Sequence, residues 1–361
     1  MAANSGLPFS RPPTPKMPPS QVGFIGLGNI GYLMALNLAN CGPIHIKDFL
    51  PLLVWNRTAC KAGKLVNDVG VNKARIAKKP EDIMQECDII IINLSNDDVV
   101  RCMYQRLIAT LKNSPPIQDE ILVETSTIYP SLAAELDLMV SSLPNSHLVT
   151  CPVLGTPIIA DKLQLLLVMS GNYRARREIA YLLVLAAGRK VVDLGEDLEK
   201  APIFKLMANS MILGNLEILA EAFTFTEKSG IGAQNVRDLL SNYFPAPTFV
   251  SYPILACADK MLHEQFDGEK GFSIDGGIKD ALHIRRLTAK HNYPMPAIDV
   301  AHQHLLTTRA IHTRHKSEDK ATFDVLDWSS IIAGTRAAAG LDGLDGRKVS
   351  ELLSESLEHN L

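Results

Sequence analysis

The chain lacks the marks of several large protein classes. Its six cysteines include no CxxC pair, which argues against a zinc knuckle and against the disulfide framework of a small secreted domain. Its 36 basic and 39 acidic side chains leave a net charge of −3, which gives no electrostatic preference for nucleic acid. Its apolar runs are far shorter than the roughly 20 residues of a membrane-spanning helix. We therefore expect a cytoplasmic protein with reduced thiols and without a membrane segment or nucleic-acid partner.

Length and composition predict two domains behind a leader. A chain of 361 residues, 47% of them hydrophobic, is too long for one core and suits two. Residues 1–20 are rich in proline and contain no apolar stretch of signal-peptide length. We expect a disordered leader there, with a mitochondrial transit peptide as the alternative.

Strand and helix signals change in character near residue 196. Before it, strands alternate with helices, which indicates a doubly wound, mostly parallel sheet covered on both faces. These strands are predicted at 22–25, 52–55, 88–93, 121–124, 147–150, 164–170 and 190–193. Afterwards, helices are predicted at 198–229, 235–243, 253–260, 278–292 and 297–313. The predicted fold is α/β over 21–196, then an all-α domain over 197–340 and a tail helix over 341–361.

A glycine-rich string follows the first predicted strand and opens a helix. It reads Gly26-Leu27-Gly28-Asn29-Ile30-Gly31. In this context the first glycine makes a tight turn, the second admits a pyrophosphate close to the backbone, and the third lets helix and strand pack. The helix N-terminus attracts the anion. The sequence therefore predicts a Rossmann domain that binds a dinucleotide through these residues, with a ligand-free glycine turn as the alternative.

The residues after the second predicted strand favour NADP(H) over NAD(H). NAD sites usually place a carboxylate there to bind the ribose hydroxyls, whereas this chain has Asn56, Arg57 and Thr58. A guanidinium and a hydroxyl favour a 2′-phosphate. Asp48 would supply the carboxylate if residues 44–48 formed the second strand, so NAD(H) stays as the alternative. Residues 42–51 also resemble an insertion at the adenosine end.

Two later loops carry further candidates for cofactor or substrate contact. Leu94 and Ser95 leave the strand predicted at 88–93, and Ser126 and Thr127 leave the next one. The carboxyl ends of parallel strands meet at one edge of the sheet, where ligands bind. We expect both loops to lie at that edge, although plain turns would give the same pattern.

Lys205 is the strongest catalytic candidate from residue type and position. It lies four residues before Asn209 on an otherwise apolar helix that we expect to be buried, so the two side chains share a face. A buried lysine is disfavoured unless function uses it. The structural alternative is a lysine that reaches the surface or pairs with Glu199 or Asp280.

Seven motifs together resemble one enzyme family. They are GFIGLGNIG, NRT, NLSNDD, ETSTIYP, CPVLGTP, the Lys205 and Asn209 pair, and GFSIDGGIKDA. In this order, over about residues 21–310, they are similar to the β-hydroxyacid dehydrogenases. That family includes 3-hydroxyisobutyrate dehydrogenases, 6-phosphogluconate dehydrogenases, glyoxylate reductases and imine reductases, and the likeness is nearest to its fungal-type reductases. The resemblance implies an NADP(H)-dependent oxidoreductase that forms a homodimer.

The resemblance also implies roles for individual residues. The lysine matching Lys205 acts as general acid or base toward the substrate oxygen while hydride moves to or from nicotinamide, and Asn209 orients the substrate. A lysine can do this when desolvation lowers its pKa toward neutrality. The other implied site residues are Asp280 in the catalytic pocket, Thr127 and Lys279 at the cofactor, and Ser126 and Phe272 at the substrate.

One motif departs from the family pattern. Members that act on small β-hydroxyacids carry Pro-Val-Ser-Gly-Gly, where this chain has Pro152-Val153-Leu154-Gly155-Thr156. Loss of the serine hydroxyl removes a hydrogen bond to the substrate carboxylate, worth about 1 to 3 kcal/mol. We expect Leu154, Gly155 and Thr156 to line a pocket for a larger or less acidic substrate than 3-hydroxyisobutyrate.

Three functions remain open at this point. Carbonyl or hydroxyl redox chemistry by Lys205 is the prediction, because imine reducers of the family often replace this lysine. Imine reduction or reductive amination is the first alternative, and a noncatalytic NADP-binding sensor or scaffold is the second. The ten histidines include no pair with a carboxylate at ligand spacing, so no metal is predicted.

Overall fold

A computed structural model of the chain describes residues 7–9, 21–45, 49–113, 115–243 and 251–345. The chain divides into two compact units, Met1–Lys205 and Leu206–Leu361. The boundary expected near residue 196 stays a prediction. It lies between the last strand, which ends at Asp193, and the long helix Lys200–Lys228, which begins in the first unit and continues into the second.

The first unit contains a mixed sheet dominated by parallel pairs. Its strands are β1 Val22–Ile25, β2 Leu52–Trp55, β3 Ala74–Ile76, β4 Ile89–Ile92, β5 Glu120–Glu124, β6 Ser146–Thr150, β7 Val153–Leu154, β8 Leu165–Gly171 and β9 Gly188–Asp193. They run in the order β3-β2-β1-β4-β5-β6-β8-β7, with β9 pairing with β8. All pairs are parallel except β6 with β8 and β7 with β8. The predicted doubly wound parallel architecture is confirmed.

Alternation along the central strands builds a core on each face of this sheet. Phe24 and Ile91 join the cluster on one face, while Ile25 and Ile90 join the cluster on the other. Strand side chains point alternately to opposite faces, so continuous apolar runs are required where helices cover both. The helices are α1 Asn29–His45, α2 Ala59–Val69, α3 Pro80–Glu86, α4 Asp97–Asn113, α5 Pro130–Val140, α6 Pro157–Asp161 and α7 Tyr173–Ala186.

Part of the proline-rich leader contacts the first unit. The Phe9 ring meets Tyr173 edge-on at 5.8 Å, and the Tyr181 hydroxyl donates a hydrogen bond to the Phe9 carbonyl oxygen at 3.1 Å. Leu7 also packs against the core. Residues 7–9 therefore depart from the expected disordered leader, because Phe9 is 8% exposed and Leu7 packs against the core. The rest of residues 1–20 lies outside the described residues.

The second unit is helical, as predicted. Its helices are α8 Lys200–Lys228, which starts in the first unit, α9 Ala233–Tyr243, α10 Ser251–His263, α11 Ile274–Lys290, α12 Pro296–Ser317 and α13 Ile332–Ala338, with a short 3-10 helix at Trp328–Ile331. One apolar cluster fills the unit and includes Leu213 and Phe223 from α8. Of the tail helix predicted over 341–361, residues 341–345 are not helical, and the remainder lies outside the described residues.

Helix α8 has one buried and one exposed apolar face. Among the described residues it is the one helix long and apolar enough to cross a membrane, which the short runs in the sequence did not indicate. The core helix of a soluble protein can have the same length and composition. Helix α8 also carries the buried Glu217, whose Oε1 lies 2.6 Å from His304 Nδ1. The expectation that α8 is buried all round is wrong, because Met211, Ile218 and Phe225 are exposed.

Candidate functional site

The three motif glycines occupy three different environments at the exit of β1. Gly26 has φ of +99°, and a Cβ there would lie 2.1 Å from the Asn93 carbonyl oxygen. A Cβ on Gly31 would lie 2.2 Å from the Gly26 carbonyl oxygen, whereas one on Gly28 would meet nothing within 4 Å. The outer glycines therefore permit close packing within the protein, and the middle one borders open space. This matches what a dinucleotide turn needs, because its second glycine lets a phosphate approach the backbone.

The exit of β2 is tied to this turn. The Asn56 side chain accepts a hydrogen bond from Leu27 N at 2.8 Å and donates one to the Thr58 carbonyl oxygen at 3.0 Å. Leu27 itself is in the core. Asn56 and Leu27, both expected to contact the cofactor, thus contact each other through these atoms. Arg57 and Thr58 are exposed at the start of α2, together with Lys61 in its first turn.

Asp48, the alternative ribose ligand, lies outside the described residues. The cations at the start of α2 include Lys61, which the sequence reasoning missed. Its signal was present, since a lysine three positions after Thr58 falls in the first turn of the helix that follows β2.

Asn29 and Ile30 begin α1, where first-turn N–H groups have no acceptor within the helix. The edge of the sheet therefore offers both N–H donors and positive charge to an anion.

The loops after β4 and β5 are joined by side chains. Asn93 donates through Nδ2 to Thr125 Oγ1 at 3.0 Å, and Leu94 N donates to Ser126 Oγ at 2.7 Å. Tyr129 N donates to the Asp97 carboxylate at 3.2 Å. Both loops lie at the carboxyl edge, as expected, with Ser95 exposed and Thr127 half-buried.

Ser126, which the resemblance assigns to the substrate, lies between the two loops in the structure. It is buried, and its hydroxyl accepts the Leu94 N–H. This long-range pairing between two strand exits could not be read from the sequence. The hydroxyl therefore links the two loops.

A buried carboxyl group under these loops was missed by the sequence reasoning. Glu124 ends β5, is 1% exposed, and accepts a hydrogen bond from Ser126 N at 2.7 Å. Burial raises its pKa to about 7, against the opposing effect of hydrogen bonds from Ser126 and Tyr104. The signal was a carboxylate closing the apolar run Ile121–Val123, immediately before a candidate loop.

Lys205 reaches the same edge of the sheet. Its Nζ donates a hydrogen bond to the Val153 carbonyl oxygen at 2.9 Å. Val153 lies just beyond the carboxyl end of β6, where Cys151 N donates to the Glu124 carbonyl oxygen at 2.7 Å. The Lys205 side chain is half-buried, so it is partly accessible to solvent.

The loop that departs from the family pattern forms β7 and the start of α6. Leu154 is 3% exposed and pairs in the sheet with Leu166, while Gly155 is exposed with φ of +152°. Thr156 precedes α6, and its buried Oγ1 has no hydrogen-bond partner among the described residues. Leu154 therefore has little accessible surface to offer a substrate.

In the second unit, Asn209 and Asp280 are brought together. Asn209 Nδ2 donates to Asp280 Oδ2 at 2.6 Å, and both residues are buried. The Lys279 ammonium lies 3.2 Å from Asp280 Oδ1, so the lysine expected at the cofactor is paired with its neighbour. The Phe272 ring meets Trp328 edge-on, with the ring centres 4.7 Å apart.

A second buried carboxylate, Asp327, holds the segment that contains Phe272. It is 0% exposed, accepts from Phe272 N at 2.8 Å, and lies 2.9 Å from the Lys260 ammonium. No sequence motif singled it out.

In the described part of the chain, no group of three or more His, Cys, Asp or Glu side chains is placed to hold a metal ion.

Comparison with known families gives matches to both units. A family model for the NAD binding domain of 6-phosphogluconate dehydrogenase matches residues 21–195. A second, for the NAD-binding region of NADP-dependent 3-hydroxyisobutyrate dehydrogenase, matches residues 200–326. The two matches follow one another along the chain in the order that the resemblance predicts.

Curated relatives cover most of the chain at low identity. An uncharacterized oxidoreductase of Bacillus subtilis, YfjR, is 25% identical over 86% of this chain and 98% of its own. The NADH-dependent oxidoreductase ucdB of Aspergillus ustus is 26% identical over 76% of this chain and 88% of its own. Mitochondrial 3-hydroxyisobutyrate dehydrogenase of Drosophila melanogaster is 23% identical over 78% and 82%.

Solved structures share the fold. The 3-hydroxyisobutyrate dehydrogenase ygbJ of Salmonella typhimurium aligns with a TM-score of 0.70 at 16% identity, over 87% of this chain and 99% of its own. Psf3, solved with NADP+ and 2-OPP, aligns with a TM-score of 0.68 at 20% identity, over 86% and 99%. An imine reductase from Pseudomonas sp. aligns with a TM-score of 0.54 at 18% identity, over 88% and 99%.

Proposed function

Because the chain belongs to the β-hydroxyacid dehydrogenase family, we propose that it is an NADP(H)-dependent reductase or dehydrogenase in which Lys205 exchanges a proton with the substrate oxygen. The observation that carries this proposal is the hydrogen bond from Lys205 Nζ to the Val153 carbonyl oxygen at 2.9 Å. It holds the ammonium at the carboxyl edge of the sheet, the edge that also carries the glycine turn. A proton donor is thereby fixed beside the loops of a dinucleotide-binding domain.

The residues at the glycine turn fit a dinucleotide. Open space over Gly28 admits a phosphate, and the first turn of α1 supplies N–H donors. The bound nicotinamide would supply the hydride. For NADP(H), the support is the exposed pair Arg57 and Lys61, two cations where a 2′-phosphate would lie. The name of the relative ucdB specifies NADH, so direct titration of both cofactors is needed.

Proton exchange is assigned to Lys205 on chemical grounds. A carbonyl oxygen that receives hydride on its carbon gains negative charge and needs a proton donor within hydrogen-bond reach. An ammonium group has three N–H donors, and the Val153 carbonyl oxygen accepts one of those of Lys205. Asn209, one helical turn further along α8, carries an amide fixed by Asp280 and is proposed to orient the substrate.

The proposed substrate is larger or less acidic than 3-hydroxyisobutyrate. Leu154 stands where the family's serine hydroxyl would bind a carboxylate, and its apolar side chain offers no hydrogen-bond donor. Thr156 has a hydroxyl without a partner among the described residues, and we assign it to the substrate. A neutral polar group would suit one hydroxyl better than a carboxylate would, because a buried charge needs several hydrogen bonds.

The test is turnover by the purified protein with NADPH or NADH against aldehyde acids, ketones and cyclic imines. Lys205→Met keeps the length of the side chain and removes its proton. We expect carbonyl turnover to fall about 10²- to 10⁴-fold in this variant, the usual contribution of a general acid, with NADPH binding retained. Lys200→Met, at the exposed start of the same helix, is the matched control and keeps activity.

Other outcomes would support the competing functions. Turnover of imines alone would replace the proposal with an imine reductase or reductive aminase. NADPH binding without turnover of any substrate in the panel would support a sensor or scaffold. Full carbonyl turnover by Lys205→Met would contradict the assigned proton donor.

We also propose a homodimer, supported by the exposed apolar face of α8. Met211, Ile218 and Phe225 are each more than half exposed and follow one another at intervals of seven residues, so they lie along one stripe. Sedimentation should give a dimer for the native chain and a monomer for Ile218→Glu. Leu138→Glu, a change at an equally exposed apolar residue of α5, should remain dimeric.

A further inference from the structure

We infer that Glu124 is a positioning residue for the cofactor, acting through Ser126 on the two loops beside the glycine turn. The inference rests on the proposed function, since it assumes that this edge binds a dinucleotide. In the recorded contacts, the Glu124 side chain touches neither the glycine turn nor an exposed atom of the two loops. Its effect passes through the backbone N–H of Ser126, 2.7 Å from Oε1.

The first step of the argument is the chain of hydrogen bonds. Glu124 Oε1 accepts the N–H of Ser126, which sets the direction of the peptide after Thr125. Ser126 Oγ then accepts the N–H of Leu94, so the loop after β5 holds the loop after β4. Both distances are 2.7 Å, at the short end of the range for N–H donors.

The second step connects these loops to the glycine turn. Asn93 precedes Leu94, and its carbonyl oxygen lies against Gly26 closely enough to exclude a Cβ. Its side-chain oxygen also lies near Gly31, where a Cβ would be 3.2 Å away. A shift of the loop after β4 would therefore move atoms that pack on both outer glycines of the turn.

The third step is the cost of keeping a carboxyl group in this place. Glu124 is buried, and no cation among the described residues is recorded as its partner. Asp97 and Tyr104 of α4 are the other titratable groups that affect it. Burial of a carboxyl group without a cation is unfavourable and is expected where it performs a task that an apolar residue cannot.

Strand β5 supplies a matched control at its other end. Glu120 is also buried, at 4% exposure, and neither of its carboxyl oxygens has a partner among the described residues. Burial raises its pKa to about 8. It differs from Glu124 in lying at the amino end of the strand, away from the loops. A general effect of replacing a buried glutamate on β5 would therefore appear at both positions.

The experiment is fluorescence titration of the full chain with NADPH, with thermal melting of each variant. Glu124→Leu should raise the dissociation constant about 10-fold, the scale of one strong hydrogen bond. Glu124→Gln keeps an acceptor for Ser126 N and should bind within about 3-fold of the native chain. Glu120→Leu should change the melting temperature and leave the dissociation constant unchanged.

Ser126→Ala tests the second link without removing a buried charge, and stays informative if Glu124→Leu does not fold. It should raise the dissociation constant, and the double variant should bind no more weakly than Glu124→Leu, because the two residues act in series. Native-like binding by Ser126→Ala, or equal weakening by Glu120→Leu, would overturn the inference. A native chain that binds neither NADPH nor NADH would overturn the proposed function as well, which separates the two failures.

Discussion

Buried carboxyl groups on β5 of the first unit differ in their partners from those of the second unit. The carboxyl groups of Glu120 and Glu124 are enclosed, with no cation among the described residues recorded as their partner. In the second, Asp327 lies 2.9 Å from the Lys260 ammonium, and Arg336 binds Glu227 through two nitrogens. A lone buried carboxyl group avoids its charged form, whereas a buried pair keeps both charges and depends on both partners. The first unit should therefore be sensitive to pH and the second to loss of one partner.

The largest effect is expected from breaking the pair at Arg336. This residue is 2% exposed and also contacts Glu264 at 3.2 Å. Arg336→Met leaves two carboxylates without their buried cation, which we expect to destabilise the second unit by about 3 to 5 kcal/mol. Hydrogen exchange followed by peptide should show faster exchange in α8 and α13 and little change in β1–β5. Arg314→Met, at an exposed ion pair, is the control and should leave the stability of the second unit nearly unchanged.

A smaller effect should follow from titrating the first unit. The folded-state pKa of Glu120 is raised to about 8, so the stability that its neutral form contributes is full below its unfolded pKa and is lost as pH rises toward 8. Glu124, with a pKa of about 7, acts in the same direction. We expect stability of the first unit to fall by a few kcal/mol between about pH 5 and 8. Glu120→Gln should remove most of this pH dependence of the free energy of unfolding. An unchanged pH dependence would show that the Glu120 carboxyl group is solvated.

The smallest effects are expected at the helix caps, one in each unit. Asn172 accepts hydrogen bonds from Arg174 N and Ala175 N at the start of α7, and Ser273 accepts one from Gly276 N at the start of α11. Replacing either with alanine should cost about 1 kcal/mol. Hydrogen exchange should confine each loss to its own unit. A loss shared equally by both units would mean that they unfold together, which would remove the basis of the comparison.

The sequence predicted the repeating parts of the fold well. The bounds of β1 and β2 agree with the structure residue for residue. The three-residue strand β3 was missed because Arg75 and Ile76 are exposed and show no apolar run. Helix α11 starts at Ile274, four residues before its predicted start, because the Ser273 side chain caps its first turn. That turn was missed in the sequence because it contains two glycines, which have low helix propensity.

The site was predictable only where local pattern decides it. The glycine turn and Lys205 follow from a motif and from an anomalous charge in an apolar helix. The bond from Leu94 to Ser126 and the ion pair of Asp327 with Lys260 join residues far apart in sequence. Such pairs depend on which strands become neighbours, so one sequence without the fold does not reveal them. For the same reason, the pairing of Leu154 with Leu166 between β7 and β8 was not visible in the sequence.

The most direct test of the central claim is NADPH titration of Gly28→Val beside the native chain. A Cβ at this position meets nothing within 4 Å, so the variant should melt like the native protein. If a dinucleotide phosphate approaches the backbone here, the added side chain occupies its place, and the dissociation constant should rise at least about 10-fold. A variant that melts normally and binds NADPH as tightly as the native chain would contradict the assignment of this turn to the cofactor.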